Sequence, residues 1–423
     1  MALSQANQIT ILWDQLLESF DSNNIMSRKV NVFEPDSGTM QNSNDVFHRP
    51  MPQIGKIVDG LNIPDAEFND VIEMVVPSPL NNIRNDAFSL NALELRDERH
   101  MQRRAMGSAQ KIAARINTDI ANLVANTGTL VVAQSNAISR YNDVAECEAL
   151  MDEQEVPIEH GRSFFFNTQD YKNTAADLAN RQTVIGRPDG AYGKSMIGDD
   201  IAGFEAYRTN FLPTLSGSAL TGVTVTSAQS FAPVPKDANG LPVDNRFADI
   251  PVSASAGFNV GDAITFANVN AVSHINKNNT GSLKTFRVVE VNPGSTANTI
   301  RVYPKPIALD DAALNNDQKT YANVNTTIAN GAAVTRLNTS NATTNVFWED
   351  NSVELISGHL AVDNDMFGDS MTILRETTDS GIELVMAYQG GVNGLDLKVR
   401  VTAFYGVVNL NPQMNGIMIG GQS

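Results

Sequence analysis

The sequence predicts an α+β protein with a separate all-β domain inserted into it, on three observations. One helical pattern runs for some thirty-five residues from Asn91 to Asn126. Short apolar strands and helical pieces alternate over residues 128 to 220. From Thr221 to Thr344 the composition then shifts to Asn, Thr, Val and Ala, with alternating strands separated by Gly, Pro and Asn turns.

Each element follows from its residues. Ile9, Leu12, Trp13, Leu16, Leu17 and Phe20 recur at helical spacing among Gln8, Asp14, Gln15 and Glu18, which predicts an amphipathic N-terminal helix over residues 6 to 21. A helix this short is marginal alone, so its apolar stripe is expected to dock on the body or on another chain. Pro50, Pro52, Pro64, Pro77 and Pro79 bracket two extended patches, Ile54 to Val58 and Val71 to Val76. This pattern predicts a projecting hairpin without a core of its own.

In the long helix Ala105, Ala109, Ile112, Ile116, Ile120, Leu123 and Val124 step by three or four. At 1.5 Å per residue it should span roughly 50 Å, with Gly107 as a candidate kink. Arg96, Arg99, Arg103, Arg104, Lys111 and Arg115 line one face, with Glu94, Asp97 and Glu98 interleaved at its start. That face is either solvated and laced with i to i+4 ion pairs, or it meets DNA or a neighbouring chain. Further strands are expected at Leu130 to Ala133 and Phe164 to Phe166, and helices at Asn142 to Met151 and Thr174 to Ala179. In the inserted region the strands are Gly222 to Thr226, Ala248 to Ser255, Ala263 to Val269, Thr285 to Val291 and Thr299 to Tyr303, a small barrel or sandwich.

A chain of 423 residues has room for two or three cores and needs no covalent staples. Forty-seven acidic against 30 basic residues give a net charge of −17, which argues against a dedicated nucleic-acid binder but not against a container for nucleic acid. No run of about 18 apolar residues predicts a membrane span, and no basic leader segment opens the sequence. The one cysteine, Cys147, sits among Glu146 and Glu148. It is expected to be a buried small hydrophobe without chemistry.

No motif supports catalysis, a metal or a cofactor. Gly193-Lys194-Ser195 resembles the end of a phosphate loop, but Pro188 stands where a glycine is required. Asp363, Asp365 and Gly368 begin a calcium-loop pattern that Phe367 and Leu374 break. The histidines at 48, 100, 160, 274 and 359 form no pair at helical metal-ligand spacing, and Gly390 to Gly394 is a loop. Glu159, His160 and Ser163 would be the residues of a rival hydrolase reading, without a nucleophile elbow to support it.

The order of parts resembles the HK-97-type capsid fold of tailed-phage coat proteins. It is most similar to coat proteins of short-tailed enterobacterial phages with a telokin-like insertion domain, over nearly the whole length. The resemblance rests on Met1–Leu3, Leu95–Glu98, Phe164–Lys172, Ala228–Phe231, Val243–Ala248, Pro304–Asp311, Tyr321–Thr326 and Thr344–Trp348.

That resemblance implies an N-terminal arm at 1–30 and a peripheral domain at 31–130, which holds an extended loop (48–79) and a spine helix (91–126). It implies an axial domain at 131–220 plus 345–390, the inserted domain at 221–344, and a C-terminal return to the peripheral domain at 391–423. By the same resemblance Asp14 and Glu18 would receive a basic scaffolding protein. Asp237, Asp244 and Arg246 would lie in a loop reaching between capsomers, in a stretch shorter before Val243 than in those relatives. Arg99, Arg103, Arg104 and Lys111 would form an interior basic face. The implied function is a major capsid protein whose hexamers and pentamers build an icosahedral procapsid in the host bacterial cytoplasm. Its partners would be the portal protein and non-specifically packaged double-stranded DNA, with no membrane and no cofactor. A nanocompartment shell of the same fold is the structural rival.

Overall fold

The computed structural model describes residues 5–36, 40, 45–51, 55, 57, 60–63, 72–180, 200–217, 220–362, 371–391 and 395–422. The phosphate-loop-like 193–195, the calcium-like 363–368 and part of the predicted hairpin lie outside them. The chain forms two compact units, Met1–Phe47 with Ser78–Ile120 and Glu354–Val408, and His48–Pro77 with Ala121–Val353 and Asn409–Ser423.

The first unit holds helix α1 (Gln5–Asn23), strand β1 (Asn31–Phe33) and strand β4 (Asn82–Asn91). It also holds most of helix α2 (Glu98–Thr127) and of strands β17 (Val353–Ser357) and β20 (Asp396–Asn409), together with β18 (Thr372–Thr377) and β19 (Glu383–Gly391). Its sheet runs β1-β17-β20-β19-β18, with β4 also paired to β20 from Asn82↔Tyr405 to Asn91↔Asp396. Helix α2 begins seven residues later than its apolar pattern suggested. Asn91 instead ends a strand, and its side-chain oxygen accepts from Leu93 N and Glu94 N at 3.0 and 2.9 Å, turning the chain before the helix. Asp97 then accepts from Arg99 N at 3.1 Å. The helix continues unbroken through Gly107.

Strands β2 (Val46–Pro50) and β3 (Val75–Pro79) pair with each other, and Met51 N donates to Met74 O at 2.8 Å. They form the base of the predicted hairpin, placed where proline costs the ladder least.

The second unit contains two larger sheets. One comprises β5 (Leu130–Ala133), β21 (Asn415–Ile419), β16 (Asn345–Glu349), β6 (Arg162–Asn167), β8 (Phe204–Thr209) and β7 (Asp200–Ile201), in that order. Every residue of β6, β16 and β21 is buried, as a sheet covered on both faces requires. Phe165 stacks on Trp348 at 4.5 Å and Phe164 on Phe347 at 5.9 Å. Helix α3 (Tyr141–Glu153) starts where Asp143 accepts from Ser139 N and Arg140 N, both at 2.9 Å. Helix α4 (Thr168–Asn180) starts where Asn167 accepts from Gln169 N and Asp170 N at 3.0 and 2.9 Å.

The other sheet is the inserted one. It runs β10 (Ala248–Pro251), β13 (Thr299–Tyr303), β12 (Asn279–Val291), β11 (Ala263–Val272) and β14 (Val334–Arg336), all antiparallel, over a core that includes Ile250, Phe266, Phe286, Val302 and Val334. The predicted strand at Gly222 to Thr226 is reduced to single bridges at Thr224 and Val225.

The later strands divide between the two units. Residues 354–408 pack in the unit that holds α1, and 409–423 pack in the other. The reason is register: β20 is long enough to pair with β4 and β19, whereas β21, after Pro412, adds its five buried residues between β5 and β16.

Candidate functional site

In α1 the apolar stripe is consumed within its own unit. Leu12, Trp13, Leu16 and Phe20 are buried, and each such side chain contributes about 1.5–3 kcal/mol. Trp13 Nε1 donates to Glu376 Oε2 at 3.2 Å, and Asp21 accepts from Asp379 N and Ser380 Oγ at 3.1 and 3.0 Å. At the other end of the helix, Asn117 of α2 donates to Asn23 O at 3.2 Å and accepts from Met26 N at 3.3 Å. Asp14 and Glu18, one turn apart, stay exposed and have no ion pair among the described residues. A docked helix thus presents a small acidic face.

On α2, Arg99, Arg103, Arg104 and Lys111 are all exposed. Of the i to i+4 ion pairs expected along this face, Arg115 forms one with Asp119 at 3.5 Å, while these four have none among the described residues. Glu98 is bonded to Gln102 instead, and Arg104 lies 4.5 Å over the Phe88 ring. Further along, Asp119 gathers Arg84, at 2.7 Å, and Tyr405, whose hydroxyl donates at 2.7 Å. Burial, then this bond, push the Tyr405 phenol up. The positive face therefore keeps its charge available.

The loop expected between capsomers divides in two. Asp237 is exposed, and its Oδ1 accepts from Asn239 N and Leu241 N at 2.8 Å each, which holds its carboxyl below the usual range. Asp244 and Arg246 bond to each other within the subunit. They pair at 2.6 Å, Arg246 is buried, and its Nη1 donates to Asn409 O at 2.7 Å. With residues 244 and 246 so tied, the pair is an internal anchor for the loop, and Asp237 is the exposed carboxylate of the three.

Sequence reading missed the buried cations of β12. Lys284 shares strand parity with Phe286 and Val288 and so faces inward, a signal hidden because the strand was expected to begin at Thr285. Arg287, fully buried, donates to Ala125 O, to Gly128 O at 3.4 Å and to Gly261 O at 2.6 Å, so it closes the C-terminal carbonyls of α2. The neighbouring Thr285 hydroxyl donates to Thr129 O.

The residues of the hydrolase reading, Ser163 and His160, sit in different surroundings. Ser163 is buried in β6, and its hydroxyl donates to Asp350 at 2.8 Å while His160 is exposed. Cys147 is buried, and desolvation followed by Glu146, Asp143 and Glu148 raises its thiol far from thiolate character. Among the described residues no cluster of His, Cys, Asp or Glu could hold a metal, and no helix is long and apolar enough to cross a membrane.

The sequence matches the family described as "P22 coat protein - gene protein 5" over residues 1–421, and the chain belongs to that family. It is a phage major capsid protein with the HK-97-type fold that its sequence resembles, and it associates with itself into a shell as a component of the virion capsid.

Among solved structures it is similar to the CUS-3 coat protein I-domain at 38% identity, covering 29% of this chain and 99% of that one, with a TM-score of 0.24. It is also similar to the capsid of cyanophage P-SCSP1u at 10% identity, covering 95% and 89%, with a TM-score of 0.45. A third likeness is to a virus-like particle from Pyrococcus furiosus at 9% identity, covering 97% and 98%, with a TM-score of 0.42. The family match carries the assignment.

Proposed function

We propose that this coat subunit assembles on a basic scaffolding protein into hexamers and pentamers of an icosahedral procapsid, which matures around double-stranded DNA. The observation that supports this most is the acidic face of α1. Its apolar side is already buried in its own subunit, so Asp14 and Glu18 are left for an electrostatic partner. Exposed pairs of this sort are worth only about 0.2–1 kcal/mol each, which lets misplaced subunits leave, while repetition over the shell makes the total decisive.

In the same reading Asp237 meets a neighbouring capsomer and the exposed Arg99, Arg103, Arg104 and Lys111 face packaged DNA. The portal protein occupies one vertex, the shell forms in the host bacterial cytoplasm, and the subunit has no enzymatic role. Packaging then shifts arms and hairpins between two packed states.

Electron microscopy of the chain expressed with and without a scaffolding protein tests this. Uniform shells only with scaffold, lost on D14K/E18K while the subunit stays folded, are the expected result. Monomers or small closed oligomers under both conditions overturn the procapsid reading. Shells that form equally well without scaffold favour a nanocompartment.

A further inference from the structure

The second unit contains a cavity of about 40 Å³ whose walls include Met51, Met74, Ile307 and Tyr321, and whose lining carries several cationic and amide side chains and no carboxylate. Lys277 and Lys305, both half-buried, line it. Lys277 Nζ donates to Ala322 O and Lys305 Nζ to Asn245 Oδ1, each at 3.1 Å. Neither has a carboxylate within ion-pair distance among the described residues.

The nearest acids are already engaged. Asp244 is held by Arg246, and Glu155 accepts from Ile275 N, Asn276 N and Asn276 Nδ2 at 2.9, 2.7 and 2.6 Å.

A third lysine completes the arrangement. Lys284, 2% exposed, donates from Nζ to Gln154 Oε1 and Gln413 Oε1 at 3.3 Å each. An ammonium group only donates, so it fixes both amides with oxygen towards itself. Their NH₂ groups remain as donors on two residues that line the cavity. Three cations with neutral acceptors alone are a costly thing to enclose, and an enclosed anion would offset that cost.

We propose that this cavity is a binding site for a small oxyanion of phosphate size, held by Lys277, Lys305 and the Gln154 and Gln413 amides. The volume is a few times what one water requires, which suits a free tetrahedral anion and not a nucleotide chain. Burial lowers all three lysines, to about 8 for Lys277 and about 7 for Lys284, as expected for cations without their counter-charge.

The test is calorimetric titration of the full-length monomer with inorganic phosphate against chloride at equal ionic strength, paired with thermal unfolding of wild type and of K277M/K305M. Saturable heat is expected for wild type. At a hundred times its dissociation constant, phosphate should raise the unfolding midpoint by roughly 5 °C beyond any rise seen in the double variant. The variant controls for the general stabilisation that phosphate gives any protein surface. Without phosphate, K277M/K305M should melt no lower than wild type, because it removes enclosed charge. Absence of heat with wild type, or equal midpoint shifts in both proteins, overturns the proposal. So does displacement of phosphate by a short oligonucleotide, which would make the ligand a nucleic-acid backbone. The heat measurement needs no variant to fold.

Discussion

The Arg287 guanidinium, on the central strand of the inserted sheet, donates to the carbonyl of Ala125 in the last turn of α2, 162 residues away in sequence. A buried cation at a helix C-terminus is matched to the partial negative charge there, and its loss strands three carbonyls at once. With each stranded buried carbonyl costing about 1 kcal/mol or more, R287L is expected to destabilise by about 3 kcal/mol. R301Q, which breaks partly exposed pairs with Asp249 and Glu290, should cost less than about 1 kcal/mol. Urea unfolding of both variants checks the contrast, and similar losses would contradict it.

Stability should rise with pH through the alkaline range because of Lys284 and Lys277. Burial lowers them to about 7 and about 8, below the ordinary lysine value, so between those values and about 10 the unfolded chain binds protons that the folded chain lacks. Below pH 7 both lysines are charged in either state and the burial penalty is fully present. K284M should flatten the climb, most clearly from pH 7 to 8, and be more stable than wild type at pH 6. Chemical denaturation at a series of pH values reads this directly, and an unchanged slope would count against it.

Two glycines make opposite predictions. A Cβ on Gly107 meets nothing, and the position is helical, so G107A should stabilise by about 0.5–1 kcal/mol. A Cβ on Gly416 would collide with the backbone oxygen of Leu130, where β21 pairs in parallel with β5, so G416A should fail to yield folded subunit. Thermal melts and soluble yield distinguish the two.

Trp13 offers an optical report of arm docking. It is buried and bonded to Glu376, so L16A, which removes a fully buried side chain beside it on the stripe, should shift its emission to the red. The cost should be about 2–5 kcal/mol. D14K/E18K lies on the exposed face and should leave both emission and stability within about 0.5 kcal/mol of wild type. An emission shift in that variant would mean that the acidic face is part of the docking.

Much of this architecture was legible because periodicity reports burial. The stripe of α1, the body of α2 and the strands at Ala263 and Thr299 follow their apolar spacing. Strand β4 was not legible. Its sequence, Asn82 to Asn91, is half polar, and it forms because β20 supplies a full-length partner, a tertiary cause that no local window contains. The exposed charges could be named in advance because exposure is what charge usually implies. Lys284, Arg287, and the mutual capture of Asp244 and Arg246 could not, because a buried cation depends on acceptors brought from distant segments.

The bond between Trp13 and Glu376, with Asp21 on the turn at Ser380, ties α1 to a segment 363 residues further along the chain. Contacts of such sequence separation form late and slowly. On the ribosome, α1 emerges long before the turn that receives it, so the arm has nowhere to settle until that turn has been made. The acidic face acquires its fixed orientation only then. A chain that stops short of that turn thus carries Asp14 and Glu18 without the fixed face on which they are displayed.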